Sequence, residues 1–164
     1  MSIAQDVRIV TERALKSFCV ELLEKVQVPP ADARAIIDNL VAADLRGVES
    51  HGVVRLPIYL QRLEAGATNP RPRIKVVRET PTTAVVDGDN GMGQLVGIHA
   101  MQKAIDIARN GHVCAFVSVR NSNHYGAAAS FAQMACTNDM IGLSFTIGGI
   151  NHMVPWGGAE AKLG

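Results

Sequence analysis

The spacing of apolar residues changes near residue 69, and this change sets the architecture that the chain can adopt. Before it, apolar residues recur every three or four positions, which is typical of amphipathic α-helices. After it come short β-branched runs such as IKVV and TTAVV, bounded by proline, glycine and aspartate, which are typical of β-strands. We therefore predict a helical domain over residues 1–68 and an α/β domain over residues 69–164.

Three helices are predicted in the first domain. The first runs from about residue 4 to residue 26, and the second has Pro30 in its first turn and ends near Gly47. The third covers residues 56–65, because Pro57 is tolerated only in a first turn. The inner face of the second helix is expected to consist of Ile36, Leu40 and Ala43.

The second domain is predicted to contain two strands, a helix, a third strand, a helix and a last strand near residue 141. Turn residues fill the stretch from Asp87 to Gly91, and no G-x-G-x-x-G motif follows a strand. The fold class is thus α+β or α/β, with a small helical domain followed by an α/β layer that lacks the Rossmann fingerprint.

Several functional classes are disfavoured by composition. A net charge of +1, 4% aromatic residues and no basic run argue against nucleic-acid binding. No apolar run reaches the roughly 18–20 residues that a membrane span needs. Cys19, Cys114 and Cys136 are widely spaced in apolar contexts, and no signal peptide is evident, so we expect reduced core thiols in a cytoplasmic protein. The glycine-rich end, MVPWGGAEAKLG, leads us to expect part of a longer protein.

The first candidate site is the segment ESHGVVRLPIY. In one continuous helix, His51, Arg55 and Tyr59 would share a face; if the helix begins at Pro57, His51 lies in the preceding loop but within reach of Arg55. This pair suits a 2-oxo or 2-hydroxy acid, because arginine grips a carboxylate and histidine exchanges a proton with the adjacent oxygen. Alternatively, the histidine caps a helix and the arginine lies on a solvated face.

The second candidate is RNSNHYG, which lies between a predicted buried strand and a helix rich in alanine. Ligands gather at the carboxyl ends of strands, and helix N-terminal amides favour anions, so His124 and Gly126 are placed to meet a ligand. Alternatively, the segment is a turn whose asparagine and glycine residues satisfy their own backbone. A third stretch, MVPWGG, forms a rigid turn in which Trp156 either covers a ring or packs. Histidine spacing gives no support for a metal site.

Together, ADLRGVESHGVVRLPIYLQRLEAG, NSNHYGAAASFA and MVPWGGAEAKLG resemble the malate/L-lactate dehydrogenase family that is distinct from the Rossmann-type enzymes. The resemblance implies a homodimer that interconverts 2-hydroxy and 2-oxo acids with NAD or NADP, using a non-Rossmann α/β dinucleotide-binding domain. It implies proton transfer by His51 or His124 and a substrate contact from Arg55, with Ser50 and Tyr59 beside the substrate. The cofactor contacts that it implies are His124, Tyr125, Gly126, Pro155, Trp156 and Gly157.

The chain departs from this family in two respects. Its members are considerably longer and continue with a TNP segment, and the stretch TIGGINH stands where many relatives carry more polar residues. Two alternatives therefore stay open. In the first, the chain is a non-catalytic folding or dimerisation fragment of the longer enzyme; in the second, it is part of a lyase or isomerase that acts on a 2-oxo acid without nicotinamide.

Overall fold

Among the residues that the structure describes, the helical part has three α-helices and two short 3₁₀ turns. In the computed structural model, residues 9–147 and 157–159 are described. The helical elements are α1 (Glu12–Lys25), α2 (Pro30–Leu45), the 3₁₀ turns Glu49–His51 and Val53–Arg55, and α3 (Leu56–Glu64). Helix α1 begins later than predicted, because residues 9–11 are not helical and Thr11 Oγ1 accepts a hydrogen bond from the Ala14 amide as an N-cap.

The boundaries of the other two helices follow the prediction. Pro30 is the first residue of α2, and Pro57 lies in the first turn of α3, where neither ring removes a helical hydrogen bond. Gly47 follows α2 with φ +72°, a left-handed conformation that glycine adopts without a steric penalty. The predicted inner face of α2 is buried, and it packs into a core that α1 and α3 complete.

The second part is a small mixed sheet with helices packed against it. Its elements are β1 (Lys75–Glu79), β2 (Thr83–Gly91), α4 (Gly93–Arg109), β3 (Phe116–Ser122) and α5 (Ala129–Cys136). The strand order is β1-β2-β3, with β1 antiparallel and β3 parallel to β2. Because β2 and β3 are parallel, Gly91 pairs with Ser122 and both strands end at the same edge. The start of α4 and the segment after β3 are therefore neighbours.

The division of the chain at residue 69 stays a prediction. Met92, which lies between β2 and α4, packs in the same buried cluster as residues of α1, α2 and α3. The helical part and the sheet part thus share a core at this point.

The last predicted strand is wrong for the described residues. Residues 141–147 form no strand, and Ile141 and Ile147 are each 93% exposed. A strand requires a neighbour to satisfy its backbone groups, and within the described residues β3 pairs with β2 alone. The alternating pattern indicates that the segment is able to form a strand, but it does not indicate which strand would pair with it.

The cysteine prediction is confirmed in part. All three thiols are free, and Cys19 is buried in the helical core. Cys114 and Cys136 are exposed, so the prediction that they pack in the core is wrong. Cys114 precedes β3 and Cys136 is the last residue of α5. At the end of an element, apolar neighbours in the sequence do not indicate that a side chain is buried. Among the described helices, none has the length and apolar character needed to cross a membrane.

Candidate active site

A cluster of polar side chains forms where the 3₁₀ turns and α3 meet the segment that follows β3. The rings of His51 and His124 are stacked, with centroids 5.5 Å apart and an interplanar angle of 26°. The ring of Tyr59 lies 6.0 Å from that of His124. The two candidate segments are thus brought together, although they are about 70 residues apart in sequence.

A hydrogen-bonded chain runs inward from His124. The Tyr59 hydroxyl lies 2.6 Å from Nδ1 of His124, and Gln94 Nε2 donates to the same hydroxyl at 3.2 Å. Gln94 is fully buried and Tyr59 is 3% exposed, whereas His124 is at the surface. The chain therefore connects a buried amide to an accessible imidazole.

The contacts of Nδ1 determine where the proton of neutral His124 lies. The backbone amide of Gly126 donates to Nδ1 at 3.4 Å, and a backbone amide can only donate. The Tyr59 hydroxyl accepts from Gln94 and so has its own proton free for the same nitrogen. Nδ1 is consequently an acceptor, which places the ring proton on Nε2.

The same surroundings shift the acid–base behaviour of both groups. Partial burial, assisted by the positive charge of Arg55 and the neighbouring His51, lowers the pKa of His124 below its ordinary value. Burial raises the pKa of Tyr59 above its ordinary value, against the opposing effects of the Gln94 hydrogen bond and nearby arginines. At neutral pH the pair is therefore a neutral imidazole and a protonated phenol.

The segment from Ser50 to Arg55 folds back on itself. Ser50 Oγ lies 2.9 Å from Nδ1 of His51, and Arg55 Nε donates to the carbonyl of Ser50 at 2.5 Å. Within the described residues, the two Nη groups of Arg55 have no hydrogen-bond partner. The continuous-helix alternative is thus replaced by two 3₁₀ turns before α3, and His51 stays close to Arg55.

Asp44 holds this segment in place from α2. Its Oδ2 accepts a hydrogen bond from the Val53 amide at 2.9 Å. A Cβ atom on Gly52 would lie 1.7 Å from Asp44 Oδ1, so no larger residue fits between the carboxylate and the turn. The glycine after His51 is required by this close approach.

The other predicted site residues are placed less centrally. The Tyr125 ring stacks on Phe131 at 4.8 Å, and Gly126 is buried with φ +81° against the Asn39 side chain. Gly157 is exposed. Pro155 and Trp156 lie outside the described residues, so their predicted roles stay predictions.

Sequence reasoning missed Gln94 and Asp44. Gln94 lies in the first turn of α4, within the stretch MGQLVG, where the other side chains are apolar or absent. A lone carboxamide at a position due to be buried was the available signal, since a buried polar group needs a partner. Asp44 carried no comparable signal, because an aspartate near the end of a helix is common on a solvated face.

The concave surfaces on the described part of the chain lie away from this cluster. Two concave surfaces of about 350 and 540 Å³ lie beside α2 and α4, and neither is lined by His51, Arg55, Tyr59 or His124. A Cβ atom on Gly126 would lie 2.4 Å from Asn39 Oδ1, and the prediction that a ligand approaches this glycine stays a prediction.

Comparisons with known proteins agree with the geometry. The model of the malate/L-lactate dehydrogenase family matches residues 10–164. The chain is 49% identical over 150 residues to a malate dehydrogenase of Pyrococcus abyssi, covering 92% of this chain and 41% of that protein. It is 45% identical over 149 residues to an L-sulfolactate dehydrogenase of Methanocaldococcus jannaschii, covering 91% and 43%.

A solved structure supports the same relationship. The malate dehydrogenase of Pyrococcus horikoshii OT3 superposes with a TM-score of 0.79 at 45% identity, covering 84% of this chain and 39% of that one. The chain thus spans about two fifths of the length of the curated relatives it matches.

Proposed function

The chain belongs to the malate/L-lactate dehydrogenase family, and from this we propose that it is an N-terminal portion of an NAD(P)-dependent 2-hydroxy-acid dehydrogenase. The observation that supports this most is the meeting of His51, Arg55 and His124 at one surface. The three named relatives are dehydrogenases of 2-hydroxy acids, two of malate and one of L-sulfolactate. We refer to the whole protein that contains this chain as the intact enzyme.

Arg55 is proposed to bind the substrate carboxylate. Its Nε is held by the Ser50 carbonyl, which fixes the plane of the guanidinium and leaves both Nη groups for a ligand. A guanidinium presents two parallel donors to a carboxylate, a geometry that lysine lacks. A 2-oxo acid bound in this way has its reactive C2 carbonyl directly beside the anchored group.

The two histidines are proposed to serve different functions at the C2 oxygen. Reduction adds a hydride to C2 and a proton to its oxygen, and a bound nicotinamide cofactor supplies the hydride. The Nε2–H of His124 donates a hydrogen bond to that oxygen, because its Nδ1 lone pair faces inward to Tyr59 and Gly126. His51, beside it, delivers the proton when the oxo acid is reduced and removes it when the hydroxy acid is oxidised.

The cofactor is proposed to be NAD or NADP, held by residues beyond the substrate cluster. Tyr125 and Gly126 follow His124 directly, and the family resemblance implies further contacts from Pro155, Trp156 and Gly157. We also propose that the intact enzyme is a cytoplasmic homodimer. Trp156 provides a test of the cofactor contact, because a nicotinamide stacked near it should quench its fluorescence.

The function is tested with the intact enzyme, a panel of 2-hydroxy acids (malate, lactate and sulfolactate), and NAD⁺ or NADP⁺. We expect cofactor reduction with at least one of these acids. The matched control is the methyl ester at the carboxyl group adjacent to C2, which keeps the hydroxyl but removes the charge that Arg55 binds, and it should react far more slowly. Conversion of a 2-oxo acid without cofactor oxidation would favour the lyase or isomerase alternative. Absence of any turnover would favour the non-catalytic alternative.

A further inference from the structure

We infer that Gln94 is a positioning residue that sets which ring nitrogen of His124 carries the proton, acting through the Tyr59 hydroxyl. The catalytic part of the inference rests on the proposed function, in which the Nε2–H of His124 donates a hydrogen bond to the substrate oxygen. The structural part concerns the tautomer alone and can be tested without turnover.

Burying the side chain of Gln94 costs free energy, because its amide is polar and is only partly hydrogen-bonded. The residue is fully buried in the first turn of α4, and its Oε1 has no hydrogen-bond partner among the described residues. An unsatisfied buried acceptor costs on the order of 1–3 kcal/mol, and methionine or leucine would fill the same space without that cost. In the described part of the chain, the Tyr59 hydroxyl is the hydrogen-bond partner of this amide.

The direction of the hydrogen bonds follows from the donors at each end. Gln94 Nε2 donates to Tyr59, so the tyrosine proton is directed to Nδ1 of His124, where the Gly126 amide also donates. In the reverse arrangement Tyr59 would donate to the Gln94 oxygen. Nδ1 would then have to carry a proton to bond with Tyr59, and that proton would face the Gly126 N–H. Gln94 thus selects the arrangement in which the Nε2 proton of His124 is presented at the surface.

Gly126 lies close to the side chains of Asn39 and Gln94. A Cβ atom there would lie 2.4 Å from Asn39 Oδ1 and 3.6 Å from Gln94 Nε2. The backbone that donates to His124 and the amide that orients Tyr59 are therefore packed against the same buried point.

The tautomer is measured on the intact enzyme with ¹⁵N-labelled histidines by long-range ¹H–¹⁵N NMR at a pH where His124 is neutral, with His124→Asn identifying its signals. We expect the Nε2–H form in the unsubstituted chain. Gln94→Met should shift the tautomer ratio toward Nδ1–H by about tenfold, the effect of one net hydrogen bond. Gln102→Met is the matched control, because it removes a glutamine of the same helix whose amide donates to Asp106 instead.

Two results would overturn the inference: the Nδ1–H form in the unsubstituted chain, or an unchanged ratio in Gln94→Met. If Gln94→Met does not fold, Tyr59→Phe tests the same connection, because it removes the proton that Gln94 orients. In the intact enzyme, Gln94→Met should lower kcat about tenfold with KM nearly unchanged, and adding Tyr59→Phe should lower it little further. A shifted tautomer with normal kcat would leave the inference about Gln94 standing and count against the proposed role of His124.

Discussion

The hydroxyl of Tyr59 lies 2.6 Å from Nδ1 of His124, although 65 positions separate the two residues. Tyr59 belongs to α3, in the helical part, and His124 follows β3, at the edge where the parallel strands end. This contact joins the two candidate segments into one site. Because the Tyr59 side chain is 3% exposed, we propose that it orients His124 and does not contact the substrate itself.

We predict that Tyr59→Phe lowers the free energy of unfolding by about 1–3 kcal/mol, because the buried Gln94 amide loses its partner. In the intact enzyme, kcat should fall roughly tenfold while KM for the substrate changes little, since the guanidinium is untouched. Urea unfolding and steady-state kinetics measure the two effects. A variant that raises KM and leaves kcat unchanged would show that Tyr59 binds substrate directly.

Gly52→Ala should disrupt the turn that carries His51 and Arg55. The added Cβ would overlap the Asp44 carboxylate, so we expect a loss of about 1–3 kcal/mol in stability, the usual cost of overpacking. In an Asp44→Ala background the same substitution should cost much less, because the space is then open. A double-mutant cycle by urea unfolding measures this difference. Strictly additive costs would show that the two groups do not compete for space.

The lowered pKa of His124 predicts a dependence of stability on pH. Its pKa in the folded chain lies below the value of about 6.5 expected in the unfolded chain, so between the two values the unfolded state binds more protons. The free energy of unfolding should therefore fall as the pH drops through 6.5 and stop falling, for this group, below the folded pKa.

This pH effect is isolated by comparing the unsubstituted chain with His124→Asn in urea unfolding at a series of pH values. The variant should lose less stability in the window just below pH 6.5. Asp87 does not interfere there, because a hydrogen bond from the Asp89 amide lowers the pKa of its carboxyl below the ordinary 3.8. Equal losses in both proteins would show that His124 titrates normally.

Arg55→Lys should act mainly on substrate binding. Lysine keeps the charge but loses the planar fork and the bond from Nε to the Ser50 carbonyl, so we expect KM for the 2-oxo acid to rise about tenfold or more. Arg62→Lys, on the exposed side of α3, is the matched control and should leave KM unchanged. An unchanged KM in Arg55→Lys would point to general electrostatic attraction in place of a specific carboxylate contact, because the substitution keeps the charge.

The helices of the first part were predictable because local chemistry determines them. Pro30, Pro57 and Gly47 mark boundaries by what their backbones can and cannot do, and the structure places them accordingly. The strand expected near residue 141 failed for the opposite reason. A strand depends on a distant partner that the spacing of its own residues does not specify.

The site residues also differ in how far local sequence can suggest their roles. His51, Arg55 and His124 could be proposed from the sequence because a histidine beside an arginine, and a histidine in a strand-to-helix loop, suggest chemistry locally. The role of Tyr59 behind His124 could not be proposed from the sequence, because the orientation of its hydroxyl depends on Gln94, which is 35 positions away. Hydrogen-bond direction in a buried network is a property of the folded chain.

We propose that His51 transfers the proton while His124 polarises the oxygen. The kcat values of His51→Asn and His124→Asn in the intact enzyme test this most directly. We predict a loss of roughly 10²–10⁴ for His51→Asn, the usual contribution of a positioned acid, and nearly unchanged dinucleotide binding. His124→Asn should cost only about tenfold, the loss of one hydrogen bond. A larger loss in His124→Asn than in His51→Asn, or normal kcat in both, would contradict the account.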